Sequence, residues 1–274
     1  VFHSALTIKP NAYKSNLQKK KANKIILNQK LEVEKQRNLI EEKAKELVER
    51  QKEIIQSIRK ELKNIASEEV RNIASRFFKS GEIAKVYGVK SPVVRSIGKK
   101  YLQQIKLLSK ENIFDICENL WQSSYLEESI IACMFTESIH KKIEVGDIKI
   151  FESWINKHVN NWASCDTFCN HTIGSYLIKF PQEVNILTKW AISKNRWMRR
   201  AAAVSLIVPA RKGLFLSEIF MIADLLLTDD DDLVQKGYGW MLKSACQYNE
   251  RDVFQYVMAN KTVMPRTALR YAIE

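Results

Sequence analysis

The chain has 274 residues, is 46% hydrophobic and holds only 8 Gly and 5 Pro, which makes it rich in helix formers and poor in turn residues. Strand-type alternation is scarce, so an all-α fold is expected, and no apolar run approaches the roughly 20 residues that span a bilayer, so no membrane partner is expected. The formal net charge of +13 suggests a polyanionic partner, yet Lys9, Lys14, Lys19, Lys20, Lys21, Lys24 and Lys30, with no acid among them, supply +7 from the first thirty residues. Only clustering of the remaining surplus would make a nucleic-acid footprint.

Residues 1 to about 26 are rich in lysine and asparagine and show little periodicity, which predicts loose order. A long charged helix is expected from Leu27 to Ile65. Its apolar residues Ile40, Ala44, Leu47, Ile54, Ile58 and Ile65 fit an a/d stripe interrupted by Gln51. Such a helix suits a coiled-coil arm able to mediate self-association, and equally a leading helix packed on a monomeric domain. The expected division is a basic extension over 1–50 and a repeat domain over 51–274.

Ser67-Glu-Glu opens the next helix with a side-chain cap and acids at its positive end, and Gly81 closes that run. Pro92 starts another after the turn Tyr87-Gly88-Val89-Lys90-Ser91. Further helices are expected over roughly 111–123, 125–141, 147–162, 165–179, 181–193, 196–208, 214–227, 231–247, 250–259 and 264–273, the last still running as the sequence ends at Glu274. The acid run Asp229–Asp232 falls just before a helix, where it caps free N–H groups.

Three segments recur along the second half: Trp162-Ala-Ser-Cys-Asp166, Trp197-Met-Arg-Arg200-Ala-Ala and Gln235-Lys-Gly-Tyr-Gly-Trp240. Arg200 follows Asp166 by 34 positions and Lys236 follows Arg200 by 36. That period marks stacked helix pairs whose second helices line one continuous face. Overlaying Arg199–Leu206 on Gln235–Leu242 matches small residues at Ala201/Gly237 and Ala203/Gly239, which let neighbouring helices approach closely. The expected architecture is a curved α-solenoid of HEAT-like helix pairs. It brings an aspartate, tryptophans and several cations onto one concave surface.

The five cysteines are odd in number and scattered on helical stretches, which argues for a reduced, intracellular compartment (cytoplasm or nucleoid in a bacterium, nucleus in a eukaryote). Cys165, Cys169 and His171 lie close enough for a metal reading. No second ligand cluster accompanies them, so two cysteines one turn apart on a buried face are the simpler expectation.

The elements Trp162-x-x-x-Asp166, Trp197-x-x-Arg200-Ala-Ala and Gln235-Lys-x-x-Gly-Trp240 resemble the AlkD-type DNA alkylation repair glycosylases. Supporting matches are Arg76-Phe77-Phe78-Lys79, Gly88-Val-Lys-Ser-Pro92-x-x-Arg95 and Asn249-Glu-Arg-Asp-Val-Phe-Gln-Tyr-Val257, in the family's order from about Glu53 onward. The resemblance implies a monofunctional glycosylase that releases cationic bases such as 3-methyladenine and 7-methylguanine from double-stranded DNA, without a pocket for a flipped base. It would make Asp166 the catalytic carboxylate, flanked by Trp162 and Trp240, with Arg200 beside them. Phe77 stands where the family commonly has tyrosine, and Lys243 where arginine is expected.

The chemistry is coherent in its own terms. An N-alkylated purine already carries positive charge and leaves without a general acid, so a fixed carboxylate need only stabilise the cationic sugar and orient water. Indole faces attract such a cation. No metal, nucleotide or redox cofactor is required. The candidate DNA contacts are Ser91, Arg95, Lys194, Arg196, Arg199, Lys236 and Lys243, with Arg211, Lys212 and Arg266 as further options. Taken singly, each residue has a plainer reading: Trp162 and Trp240 as core aromatics, Asp166 as a cap or first-turn acid, Arg200 as the partner of an acid on the preceding helix. Two other functions fit the same residues, a HEAT-like DNA-binding protein without catalysis and a protein-interaction scaffold.

Overall fold

The computed structural model describes residues 10–78, 82 and 85–273, so Lys9, the stop at Gly81 and the end at Glu274 lie outside the described residues. The chain divides into two compact units, 1–53 and 54–274. Among the described residues every named element is helical. None of the helices is long and apolar enough to cross a membrane.

Helix α1 runs Pro10–Asn64, beginning well before the expected start at Leu27. Proline is pre-organised for a first helical position, and the lysines, glutamines and alanines after it are good helix formers that need no apolar stripe. Periodicity therefore gave no sign of this stretch. The apolar stripe has two fates. Val33, Leu39 and Ile40 are exposed, whereas Ile54, Ile55, Ile58 and Leu62 are buried and belong to the core of the second unit.

The second unit is a stack of packed helix pairs. Ser67 caps α2 (Glu68–Ser75) by accepting from the Val70 N–H, with Glu68 and Glu69 in the first turn. The chain then reaches Gly88 at φ +90, where a Cβ would lie 2.2 Å from the Ser67 carbonyl, so only glycine fits this close approach. The buried carboxylate of Glu127 accepts the N–H groups of Tyr87, Gly88 and Val89 at 3.0, 2.9 and 3.1 Å and fixes the loop leading into α3 (Ser91–Ile105). Beside it Glu128 takes the Tyr87 hydroxyl at 2.7 Å and Arg59 at 3.0 Å.

Helices α4 (Lys110–Gln122) and α5 (Leu126–Ser138) pack as a pair, α5 also lying on α3. The helix expected over 147–162 stops earlier, as α6 (Ile148–His158), and Asn161 then caps α7 (Trp162–Phe168) by accepting from the Ser164 N–H at 2.9 Å. The run expected over 165–179 is interrupted by a π-helical turn, Cys169–Ile173, before α8 (Gly174–Lys179). An aromatic cluster of Phe114, Trp121, Phe151, Trp154 and Phe168 fills the core here, with ring centroids 5.6 to 5.8 Å apart.

Helices α9 (Ile186–Ala191), α10 (Arg196–Val204), α11 (Ile207–Ala210) and α12 (Leu216–Leu225) follow. Asp231 caps α13 (Asp232–Asn260), accepting from the N–H groups of Leu233 and Val234. Within it Asn249 (φ −125, ψ 51) is non-helical, so the run is two helices joined across a kink, in keeping with the two expected over 231–247 and 250–259. At Gly239 an added Cβ would meet the Ala268 carbonyl at 2.6 Å and Tyr271 Cβ at 2.7 Å, so the missing side chain is what brings in α14 (Arg266–Ile273). Helix α10 lies between α7 and α13 and touches both, as the 34- and 36-residue spacings require.

Candidate functional site

Trp162 and Asp166 are one turn apart on α7, a spacing that places both side chains on one face. Facing them, Arg200 projects from α10, whose start is fixed by the Asn195 side chain accepting the Trp197 N–H at 2.9 Å. Arg200 Nε donates to Asp166 Oδ1 at 2.8 Å and Nη2 to Oδ2 at 2.7 Å, while Nη1 donates to the Leu233 carbonyl at the head of α13. Burial acts against the charge on this guanidinium, but the Asp166 carboxylate outweighs it and raises the Arg200 pKa above its ordinary value. Gly237 packs beside this side chain, where an added Cβ would lie 3.4 Å from Arg200 Cγ, an ordinary contact.

Trp240 extends the site from α13, one turn beyond Lys236. Together Trp162, Asp166, Arg200, Lys236 and Trp240 line a single cleft of about 350 Å³. Both tryptophans are half-buried, with a face available to the cleft. Trp197, by contrast, is only 7% exposed and belongs to the core, the Arg196 guanidinium resting 5.6 Å over its ring. The plainer readings are thus divided among the residues. Asp166 is not a cap, since Asn161 holds that role, but Arg200 does pair with an acid on an earlier helix.

Four lining residues, Phe77, Glu82, Leu233 and Tyr271, are not among the site residues the sequence points to. Tyr271 contributes a wall from α14, and the small residue at Gly239, which implies a close neighbour, was the signal for it. Glu82 and Phe77 close the opposite side and clamp Trp162. The Trp162 N–H donates to Glu82 Oε1 at 3.1 Å, and its indole N–H donates to the Phe77 carbonyl at 3.3 Å. No sequence pattern marks a clamp between residues 80 and 85 positions apart.

The candidate DNA contacts separate by their partners. Arg199 is bound to Asp229 through Nε at 2.6 Å and Nη2 at 3.3 Å, and its Nη1 donates to the Ser193 and Lys194 carbonyls. Arg196 pairs with Asp231. Lys236 makes a looser 3.4 Å pair with Asp232 while reaching the cleft. Lys194 and Lys243 are exposed, and neither side chain has a partner among the described residues. Ser91 and Arg95, also exposed, are one turn apart at the start of α3. They line a second, mainly apolar hollow of about 320 Å³ that shares Phe77 and Trp162 with the cleft. The acid run Asp229–Asp232 therefore does more than cap: Asp231 is both cap and ion-pair partner, and Asp229 holds Arg199.

Cys165 and Cys169 are fully buried free thiols, as a buried helix face predicts, and desolvation pushes the Cys165 thiol well above its ordinary range. His171 turns to Glu137 at 3.4 Å. Among the described residues no three His, Cys, Asp or Glu side chains gather where they could hold a metal ion.

Residues 58–274 match the profile of the family described as DNA alkylation repair enzyme. No curated protein matches the chain. A solved structure, a predicted DNA alkylation repair enzyme from Enterococcus faecalis, superposes with a TM-score of 0.67 over 76% of this chain and 94% of its own, at 18% identity. At that identity the likeness concerns the fold alone. The match to the profile covers most of the length, and the chain belongs to the DNA alkylation repair enzyme family.

Proposed function

We propose that this DNA repair protein is a monofunctional DNA glycosylase that hydrolyses the N-glycosidic bond of positively charged alkylpurines, 3-methyladenine and 7-methylguanine, in double-stranded DNA. The observation that carries the reading is the placement of the Asp166 carboxylate in a cleft shared by Trp162 and Trp240, held there by both arms of Arg200. A cationic base is already activated as a leaving group, so the task left to the protein is to favour the positive charge that develops on the deoxyribose as the bond lengthens. A carboxylate with its geometry fixed does this without reorganising. An ionised carboxylate offers about four acceptor positions. Arg200 occupies one on each oxygen, and the others remain for the sugar cation and for orienting water. The indole faces add attraction for a cationic sugar or base, about 2 kcal/mol or more once water is excluded.

Lys236 reaches the same cleft, and Lys194, Lys243, Arg95 and Ser91 supply exposed polar groups for phosphates. Lysine at 243 gives a point charge rather than a fork, which suits a phosphate contact that carries no sequence information. The silent-binder reading would be favoured by an Asp166 turned away from the tryptophans, and it lines the cleft with them.

The test is release of 7-methylguanine from methylated duplex DNA by the parent and by Asp166→Asn, with both proteins shown to be folded. Release by the parent and a loss of a hundredfold or more in the variant, about 2.7 kcal/mol of barrier, is expected. A folded parent that binds the duplex and releases nothing overturns the reading.

A further inference from the structure

Outside the region that matches the family profile, α1 carries an asymmetric distribution of charge. Between residues 14 and 30 there are six lysines and no acid, whereas between 31 and 53 seven acids face six bases. The second stretch neutralises itself, with Arg37 and Glu41 paired at 2.9 Å and Lys52 and Glu49 at 3.3 Å. The first stretch carries no acid of its own to pair with. Lys19, Lys20, Lys21, Lys24 and Lys30 are exposed, and no side-chain partner is present for any of them among the described residues.

Helical order concentrates these charges. Lys20 and Lys24 are one turn apart and Lys21 and Lys24 three residues apart, so the three share a face. At about 1.5 Å of rise per residue, Lys19 to Lys30 covers roughly 16 Å. Duplex DNA presents about one charge per 1.7 Å of axis, so a comparable length offers roughly ten phosphates and their condensed counterions. A lipid surface fits less well. Ile25, Ile26 and Leu27 are all exposed and consecutive, so at 100° steps they cannot form the one-sided apolar face an interfacial helix needs.

We propose that the basic end of α1 is a sequence-independent tether for duplex DNA, raising the local concentration of the substrate around the second unit without taking part in base release. The requirement on the partner is a dense, regular array of phosphates. The proposal stands whether or not the protein proves to be a glycosylase, because it concerns affinity for undamaged duplex.

The test is binding of the full chain to a short unmodified duplex across a salt series, by fluorescence anisotropy. The parent is compared with a variant carrying Lys19, Lys20, Lys21, Lys24 and Lys30 all changed to Gln, and with a second in which all five become Arg. Glutamine and arginine match lysine closely in helix propensity, and circular dichroism checks that the helix is kept. The slope of log K against log salt is expected to be shallower by about 3 to 4.5 units in the glutamine variant, at roughly 0.9 per lost phosphate contact. The arginine variant should keep the parent slope. Equal slopes for parent and glutamine variant overturn the proposal, as does a loss in the arginine variant as large as in the glutamine one. Unaltered duplex binding combined with lost binding to phosphatidylserine vesicles overturns it too, and assigns the lysines to a membrane surface.

Discussion

Arg200 grips Asp166 at two points, Nε to Oδ1 at 2.8 Å and Nη2 to Oδ2 at 2.7 Å, and the pair is nearly removed from solvent, with side chains 6% and 13% exposed. The remaining donor group of the fork is anchored on the Leu233 carbonyl, so three helices converge on one guanidinium. A carboxylate held this way has one geometry, which a stabiliser of developing charge needs and a surface ion pair does not provide. Removing the arginine leaves a buried carboxylate without its partner. Arg200→Ala is expected to cost about 3 to 5 kcal/mol of stability in urea unfolding. Arg200→Lys, which keeps the charge and loses the fork, should fall between parent and alanine variant. A lysine variant as unstable as the alanine one would show that the fork, not the charge, supports the site.

Much of this arrangement could be read from spacing. The 34-residue interval between Asp166 and Arg200 is the repeat length of the solenoid, and it brings the two into direct contact. The 36-residue interval likewise brings Lys236 to the same cleft. Small residues at Gly237 and Gly239 marked close helix packing correctly, since one faces Arg200 and the other α14. What could not be read were contacts without a period. Glu127 binding the turn before α3, Glu82 holding Trp162 and Asp229 holding Arg199 join residues 30 to 80 positions apart. The helix from Pro10 was hidden for a different reason. Its residues 18–46 are exposed on every side, so lysine-rich propensity forms it and no apolar pattern reports it.

The ion pairs divide the candidate DNA contacts into two kinds. Arg199 is part-buried on Asp229, so Arg199→Gln is expected to lower stability and leave the salt dependence of DNA binding nearly unchanged. Lys243 is exposed and has no partner among the described residues, so Lys243→Gln should leave stability within about 0.5 kcal/mol and reduce the salt slope by about one. Urea unfolding and salt-dependent anisotropy on both variants separate the cases. The reverse outcome would mean that Arg199 leaves Asp229 for phosphate in the complex.

Two neighbouring glycines should respond oppositely to one methyl group. At Gly237 the nearest atoms to an added Cβ are 3.4 to 3.6 Å away, an ordinary contact, so Gly237→Ala should be neutral or stabilise by up to about 1 kcal/mol through helix propensity. At Gly239 the added Cβ meets the Ala268 carbonyl at 2.6 Å, which is backbone and cannot swing aside. Gly239→Ala should cost about 1 to 3 kcal/mol and push α14, with Tyr271, off the cleft. Thermal unfolding of the two variants side by side decides it.

Glu127 tests how the turn before α3 is held. Its buried carboxylate accepts three backbone N–H groups, and Glu127→Ala would strand all three. A loss of about 3 kcal/mol or more is expected, together with weakened DNA binding if Ser91 and Arg95 contact phosphate. Glu127→Gln keeps an acceptor oxygen and should lose much less. Equal losses from the two substitutions would show that charge, rather than the count of accepted hydrogen bonds, fixes the loop.

A pH dependence is expected at the pair formed by His171, on the π-helical turn, and Glu137 on α5, 3.4 Å apart. The hydrogen bond to Glu137 raises the His171 pKa above 6.5, against the opposing effects of burial and of nearby Arg95. The same hydrogen bond holds the Glu137 carboxyl below 4.5, with burial opposing and the charges of His171, Arg95 and His140 assisting. Histidine's contribution is complete below its unfolded pKa and is lost as pH rises through the raised folded value. The carboxyl's contribution is present above 4.5 and lost as pH falls through the depressed one. The pair therefore supports the fold most between pH 4.5 and 6.5. Both side chains are half exposed, which limits the effect to about 1 kcal/mol or less. The difference in melting temperature between parent and His171→Gln should peak inside that window and shrink as the imidazole loses its proton. A difference that stays constant across the range would mean that His171 contributes packing and not charge.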